Sequence, residues 1–193
     1  MKYFKKLLGD RIYLSPRNVE QEDIEKFTIW LNDFKTTDYI GRSNQVVTLE
    51  GERKYLEDHL NDKSTFLIIE LENDNMIGTV GIEKINNIDR TGTLGIFIGE
   101  ESARNKGYGT EAINLVLDYG FNYLNLNNIK LDVLESNEIA IACYKKCGFR
   151  EYGRRRKAKY INGKYYDIIS MDILKEEFIG KSYIKNKNIY RYN

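Results

Sequence analysis

The run Leu94-Gly95-Ile96-Phe97-Ile98-Gly99-Glu100-Glu101-Ser102-Ala103-Arg104-Asn105-Lys106-Gly107-Tyr108-Gly109-Thr110 is where this chain's residue types could do chemistry. A strand-like stretch passes into a loop with glycines at alternate positions, and the loop opens a long helical pattern. Glycines let backbone amides turn inward and approach a ligand closely. The start of a helix adds unpaired N–H groups and a partial positive charge, so such a loop suits a pyrophosphate. Arg104 and Lys106 supply formal charge. An ordinary tight turn before a helix has the same composition, so this segment alone indicates no more than an anion site. It is not a dinucleotide fingerprint, because the third glycine is missing and the flanking strands read as antiparallel. A second pair lies downstream: Asn137 and Tyr144 are seven residues apart, two helical turns and nearly one face. On its own the pair reads as an asparagine cap and a packed tyrosine.

Both segments need elements to hold them. Arg11–Leu14 alternates like a short strand stopped by Pro16. From Glu20 to about Phe34, Ile24, Phe27, Ile29, Trp30 and Leu31 are spaced for one amphipathic helix, and a second covers Leu49–Leu60. Ser64–Leu71, Met76–Ile85 and Thr91–Ile98 read as an antiparallel meander with turns at Asn73-Asp74-Asn75 and Asn86-Asn87. From Gly107, the apolar residues Ile113, Val116, Leu117, Phe121 and Leu124 keep helical spacing. Ile129–Leu134 is a strand. Asn137 is a good N-cap for a short helix that ends at Gly148, a good residue past the C-terminus. Phe149–Tyr152 starts another strand. Tyr160–Tyr165 is a hairpin around Asn162-Gly163, and Ile168–Leu174 closes the sheet. The expected architecture is α+β, a mixed, mostly antiparallel sheet flanked by helices on both faces. It forms a single domain over residues 1–178, followed by a polar tail over 179–193 that is mobile or a packing arm.

The whole-chain properties narrow the function. The 193 residues carry a net charge of +1, so no global field drives the protein onto nucleic acid or an anionic membrane. No stretch approaches the roughly 20 apolar residues of a spanning helix, and the basic start is too soon interrupted by Asp10 and Arg11 for a signal peptide. A cytoplasmic location is expected. The single histidine, His59, removes most metal sites, and no metal is expected; a solvated helix face explains it. Cys143 and Cys147 are expected as buried or partly buried thiols rather than a redox pair. Arg154-Arg155-Arg156-Lys157 reads as a solvated loop, too short for nucleic acid binding.

The combination Arg104-x-x-Gly107-x-Gly109 after a strand, then Asn137-x-x-Ala140-x-x-x-Tyr144-x-x-x-Gly148-Phe149, resembles the GNAT superfamily of acyl-CoA N-acyltransferases. The likeness runs from about Arg11 to Phe178. Trp30-Leu31-Asn32-Asp33 and Asn162-Gly163-Lys164-Tyr165-Tyr166-Asp167 resemble its RimJ/RimL-type branch, which contains relatives of spermidine acetyltransferases. The resemblance implies acetyl-CoA as co-substrate. Phe97, Ile98 and Gly99 would pair with the pantetheine arm like an added strand. The amides of Arg104, Asn105, Lys106, Gly107, Tyr108, Gly109 and Thr110 would hold the coenzyme pyrophosphate, and Asn137 would touch the arm. Tyr144 would protonate the departing thiolate; a phenol can donate there without itself carrying charge.

The sequence departs from that pattern at Thr93, where relatives often carry a glutamate. An amine acceptor is mostly protonated at neutral pH and must lose a proton before attack. Glu83, on the neighbouring strand, is the substitute candidate for that base, or else an exposed carboxylate paired with Lys84; His59 is a poorer candidate. No nucleophile with a proper base partner is visible, which implies direct attack in a ternary complex. The acceptor is a primary amine, whether of a polyamine, an amino sugar or antibiotic, or a protein N-terminus. The alternative is a non-catalytic acyl-CoA-binding regulatory or partner-binding module. A homodimer is a further expectation, in which the tyrosine-bearing tail could serve.

Overall fold

Successive side chains of a strand point to opposite faces, and in Thr65–Glu70 (β3) both faces are buried. Phe66 and Ile68 join one apolar cluster, Leu67 and Ile69 another. Two cores therefore lie on the two faces of one sheet. The computed structural model describes residues 2–178 and 182–185. The other strands are β1 (Leu7–Leu8), β2 (Ile12–Pro16), β4 (Met76–Asn86), β5 (Thr91–Ile98), β6 (Asn128–Leu134), β7 (Arg150–Ile161) and β8 (Lys164–Leu174). They run in the order β1-β2-β3-β4-β5-β6-β8-β7. Every neighbouring pair is antiparallel except β5 with β6.

The helices fill in behind. Ile24, Phe27 and Trp30 of α1 (Gln21–Asn32) and Leu56 of α3 (Leu49–Asp58) cover one face. The other face takes Ala112, Ile113, Val116, Leu117 and Phe121 of α4 (Tyr108–Asn122), with Tyr144 and Cys147 of α5 (Glu138–Cys147). Each large side chain so buried contributes on the order of 1.5–3 kcal/mol. The expected mixed sheet with helices on both faces is what the chain forms.

Three local expectations are corrected. The helix expected from Glu20 to Phe34 is two: Asp33 turns extended, and its side chain accepts from the Lys35 N–H to start α2 (Phe34–Ile40). Ile29, inside α1 but on the side away from Ile24 and Phe27, is exposed rather than buried. Arg154–Lys157 is not a loop; it lies in β7, whose register against β8 shifts between Glu151 and Gly153 and again between Arg155 and Lys159. Arg154 pairs with Glu135, Glu151 and Asp167, and Arg155 with Asp132, so the first two cations of the run are met by neighbouring acids.

Beyond Phe178, Tyr183 and Ile184 donate their N–H groups to the buried carboxylate of Asp118 at 2.7 and 3.1 Å. Residues 182–185 thus pack on α4, while the remainder of the expected tail, 179–181 and 186–193, lies outside the described residues.

Gly78 of β4 faces β5 so closely that a Cβ there would lie 2.0 Å from the Phe97 carbonyl oxygen. Neither backbone can yield without breaking the ladder. Gly78→Ala is expected to lower stability by about 1–3 kcal/mol, the range for overpacking a tight site, read from the denaturant midpoint at unchanged slope.

Candidate active site

β5 and β6 pair only at Thr91, Gly92 and Thr93, opposite Asn128, Ile129 and Lys130. β6 then stays with β8 as far as Leu134, and β5 stays with β4 as far as Ile98. The two strands part between them. Leu94–Ile98 on one side and Asp132–Leu134 on the other line a cleft of about 1260 Å³. The cleft runs on to the loop before α4, the N-terminus of α5, α2 and α3. The expected residues Phe97, Ile98, Arg104, Asn105, Gly107, Tyr108, Gly109, Thr110, Asn137, Tyr144 and Glu83 all line it; Gly99 and Lys106 do not.

The loop is held open by backbone geometry and by clamps from elsewhere in the chain. Asn105 and Gly107 have positive φ, 60° and 84°, and no side chain caps α4. The N–H groups of Tyr108, Gly109 and Thr110 therefore have no intrahelical acceptor. The Arg104 guanidinium, expected to offer charge to a ligand, turns back instead. It donates to the Ile98 and Gly99 carbonyls at 3.2 and 2.9 Å and to Thr36 Oγ1 at 2.8 Å. Arg11 donates to the Lys106 carbonyl at 2.8 Å and lies over the Tyr108 ring. Arg11 is itself fixed by Glu111 of α4, whose Oε1 accepts the N–H groups of Asp10, Arg11 and Ile12.

At the far wall, Asn137 caps α5 by accepting from the Ala140 N–H and donates to the Tyr39 carbonyl at 3.3 Å. It does so as an ordinary N-cap, with its amide also tying α2 to α5. Tyr144 is buried against Phe149. Burial pushes its phenol well above the usual range, and the neighbouring Cys143 and Cys147 add to the effect. It holds its proton at any physiological pH. Glu83 is exposed, at the mouth of the cleft, and its Cα partner across the ladder is Thr93. It also faces a smaller cavity of about 370 Å³ with Arg17, Tyr55 and His59. His59 follows α3, its Nδ1 2.7 Å from the Tyr55 carbonyl.

Cys143 and Cys147 are free thiols, half-buried and buried as expected, but Cys143 and Glu52 were not singled out as groups of the cleft. Cys143 reaches Thr110 Oγ1 at 3.3 Å, and its thiol is brought down to about 6. A hydrogen bond with Cys147 is the main cause, with Thr110 and the Lys146 charge acting the same way against burial. Glu52 of α3 is buried in the cleft wall. Its signal was legible: it stands four residues before Leu56, placing an acid on the apolar face of the helix. Among the described residues, no group of three or more His, Cys, Asp or Glu is placed to hold a metal ion, and no helix is long and apolar enough to cross a membrane.

A model of the acetyltransferase (GNAT) domain matches residues 11–150 of this chain. The chain belongs to the GNAT acetyltransferase family. Spermidine N(1)-acetyltransferase of Vibrio cholerae is 36% identical over 125 residues, covering 64% of this chain and 72% of the relative. The Escherichia coli K12 enzyme of the same name is 33% identical over 123 residues, covering 64% and 66%. The crystal structure of the V. cholerae spermidine N-acetyltransferase in complex with CoA and spermine superposes with a TM-score of 0.77 at 29% identity, over 87% of this chain and 98% of that one. This GNAT chain is an acetyl-CoA-dependent N-acetyltransferase. The non-catalytic alternative is set aside.

Two outcomes follow. Glu111→Ala frees three backbone N–H groups and Arg11 together, and should lower stability by about 1–2 kcal/mol, since most of these donors are exposed and water replaces the carboxylate; a thermal melt reads it. Cys143 should react with iodoacetamide half-maximally near pH 6, because the thiolate is the nucleophile. Mass spectrometry across a pH series measures this, and the buried Cys147 serves as the unreactive internal control.

Proposed function

We propose that this enzyme acetylates a primary amine of a polyamine by direct attack in a ternary complex. The observation that carries the reading is the parting of β5 from β6, which leads a ligand from an uncapped helix start to Tyr144. Support for the acceptor comes from the spermidine acetyltransferase relatives and from the spermine in the superposed structure. Acetyl-CoA supplies the thioester whose carbonyl carbon the amine attacks. The edge Phe97–Gly99 offers backbone groups to the pantetheine arm, although the carbonyls of Ile98 and Gly99 already accept from Arg104. Amides of Asn105 to Thr110 hold the pyrophosphate. Asn137, with both ends of its amide engaged, shapes the wall beside the arm.

Glu83 takes the proton from the acceptor ammonium, directly or through a water. Its position across from Thr93 supports this: a carboxylate one strand over reaches the space a glutamate at Thr93 would face. Tyr144, kept protonated by burial, gives its hydroxyl proton to the departing thiolate as the C–S bond breaks. Cys143 has Cys147 and Thr110 beside it rather than a base, which favours direct attack over an acyl-enzyme. We keep the chain in the RimJ/RimL-type branch on Trp30–Asp33 and Asn162–Asp167.

The test is CoA release from acetyl-CoA with a panel of amines. Spermidine should be a substrate, with rate lines at varied concentrations of both substrates that intersect. Tyr144→Phe should lower kcat by about 10²–10⁴-fold, the usual worth of a positioned acid, with the KM for acetyl-CoA little changed. Equal kcat in the variant removes Tyr144 from the chemistry.

A further inference from the structure

Glu52 sits on the inner face of α3 with 5% of its surface exposed. Its carboxylate opens on the cleft, yet among the described residues no hydrogen bond and no ion pair within 4.0 Å reaches it. Arg17 and Arg42 act on it only from longer range. Burial wins over that attraction and pushes the carboxyl above its ordinary range. Arg17 is no dedicated partner: it is shared with Asp62, lies over the Tyr55 ring, and keeps a buried Nη1 without a hydrogen bond. A carboxylate desolvated to this degree is costly unless a cation meets it.

Its place in the fold says which cation. Leu56, one turn on from Glu52, packs in the core shared with Phe27 and Trp30, whereas Tyr144 belongs to the core on the opposite face of the sheet. The edge Leu94–Ile98, unpaired with β6, lies between these two walls of the one cleft. A positive group held at Glu52 is therefore remote from the atom that Tyr144 would protonate. An acceptor that fills both ends needs a reacting amine at one and a second cationic group several bonds away at the other.

We propose that Glu52 is the residue that selects a polycationic acceptor, its carboxylate docking an ammonium distal to the amine that is acetylated. The inference rests on the polyamine reading above. It makes Glu52 a binding residue rather than the base: its effect falls on the acceptor's KM and leaves the chemical step alone.

Initial rates at saturating acetyl-CoA, with spermidine and with propylamine, test it. Glu52→Gln keeps the shape and removes the charge. The variant should raise the KM for spermidine at least about tenfold, the loss of one charge-assisted contact. Its kcat, its KM for acetyl-CoA and its propylamine kinetics should match wild type. Its melting temperature should not fall, since no internal partner is lost; a drop of several degrees would mark Glu52 as half of a structural ion pair and overturn the proposal. So would an unchanged spermidine KM in an enzyme that acetylates spermidine. A wild type that acetylates other amines but not spermidine overturns the polyamine reading instead, and this acceptor assignment with it.

Discussion

The site depends on one refusal to pair. Parallel strands joined by a helix normally stay hydrogen-bonded along their length, and here β5 and β6 do so for three residues only. Each strand is held on its other side, β5 by β4 and β6 by β8, so neither can close the gap. The backbone groups left over on β5 cannot be satisfied by the protein's own sheet. They are what makes this sheet a receptor, and the loop before α4 extends the same condition by one more turn of unpaired N–H groups.

Most of the charge near the cleft is committed to holding it in shape. Arg104 fastens the end of β5 to α2, Arg11 fastens the loop, and Arg154 and Arg155 are paired along β7. Of the acids that line the cleft, Glu83 stands at the mouth and Glu52 in the wall, with Arg17, Lys35, Arg42 and Lys159 on the same surface. A reader who counts arginines around the cleft would infer an anionic acceptor. Tracing where each guanidinium donates removes several of them from that count.

Sequence pattern reached the framework and much of the site. The meander, the long helix and the capped α5 follow from local rules: period, Asn-Gly turn, Asn cap and glycine stop. Tyr144 and Asn137 stood out through the resemblance to the GNAT motif, not through their helical spacing alone. The failures are also physical. Asp33 is a helix breaker that also starts a helix, and the apolar spacing across it hid α2. Arg104 looked like a ligand contact because charge is visible in a sequence and the carbonyls it serves are not. Cys143 owes its lowered thiol first to Cys147, one turn on, and then to Thr110, thirty-three residues away; the spacing shows the first contact and no local pattern shows the second. The parting of β5 and β6 is a property of three-dimensional register alone.

Glu111 gathers the N–H groups of Asp10, Arg11 and Ile12 across about one hundred residues of chain. The consequence concerns order of assembly. The tight turn between β1 and β2 is made first during synthesis, yet its polar backbone has no acceptor until α4 has emerged. The loop before α4 is in turn fastened by Arg11 at the Lys106 carbonyl. The contacts tie residues 10–12 to the middle of the chain, so the turn between β1 and β2 and the loop before α4 hold each other in place.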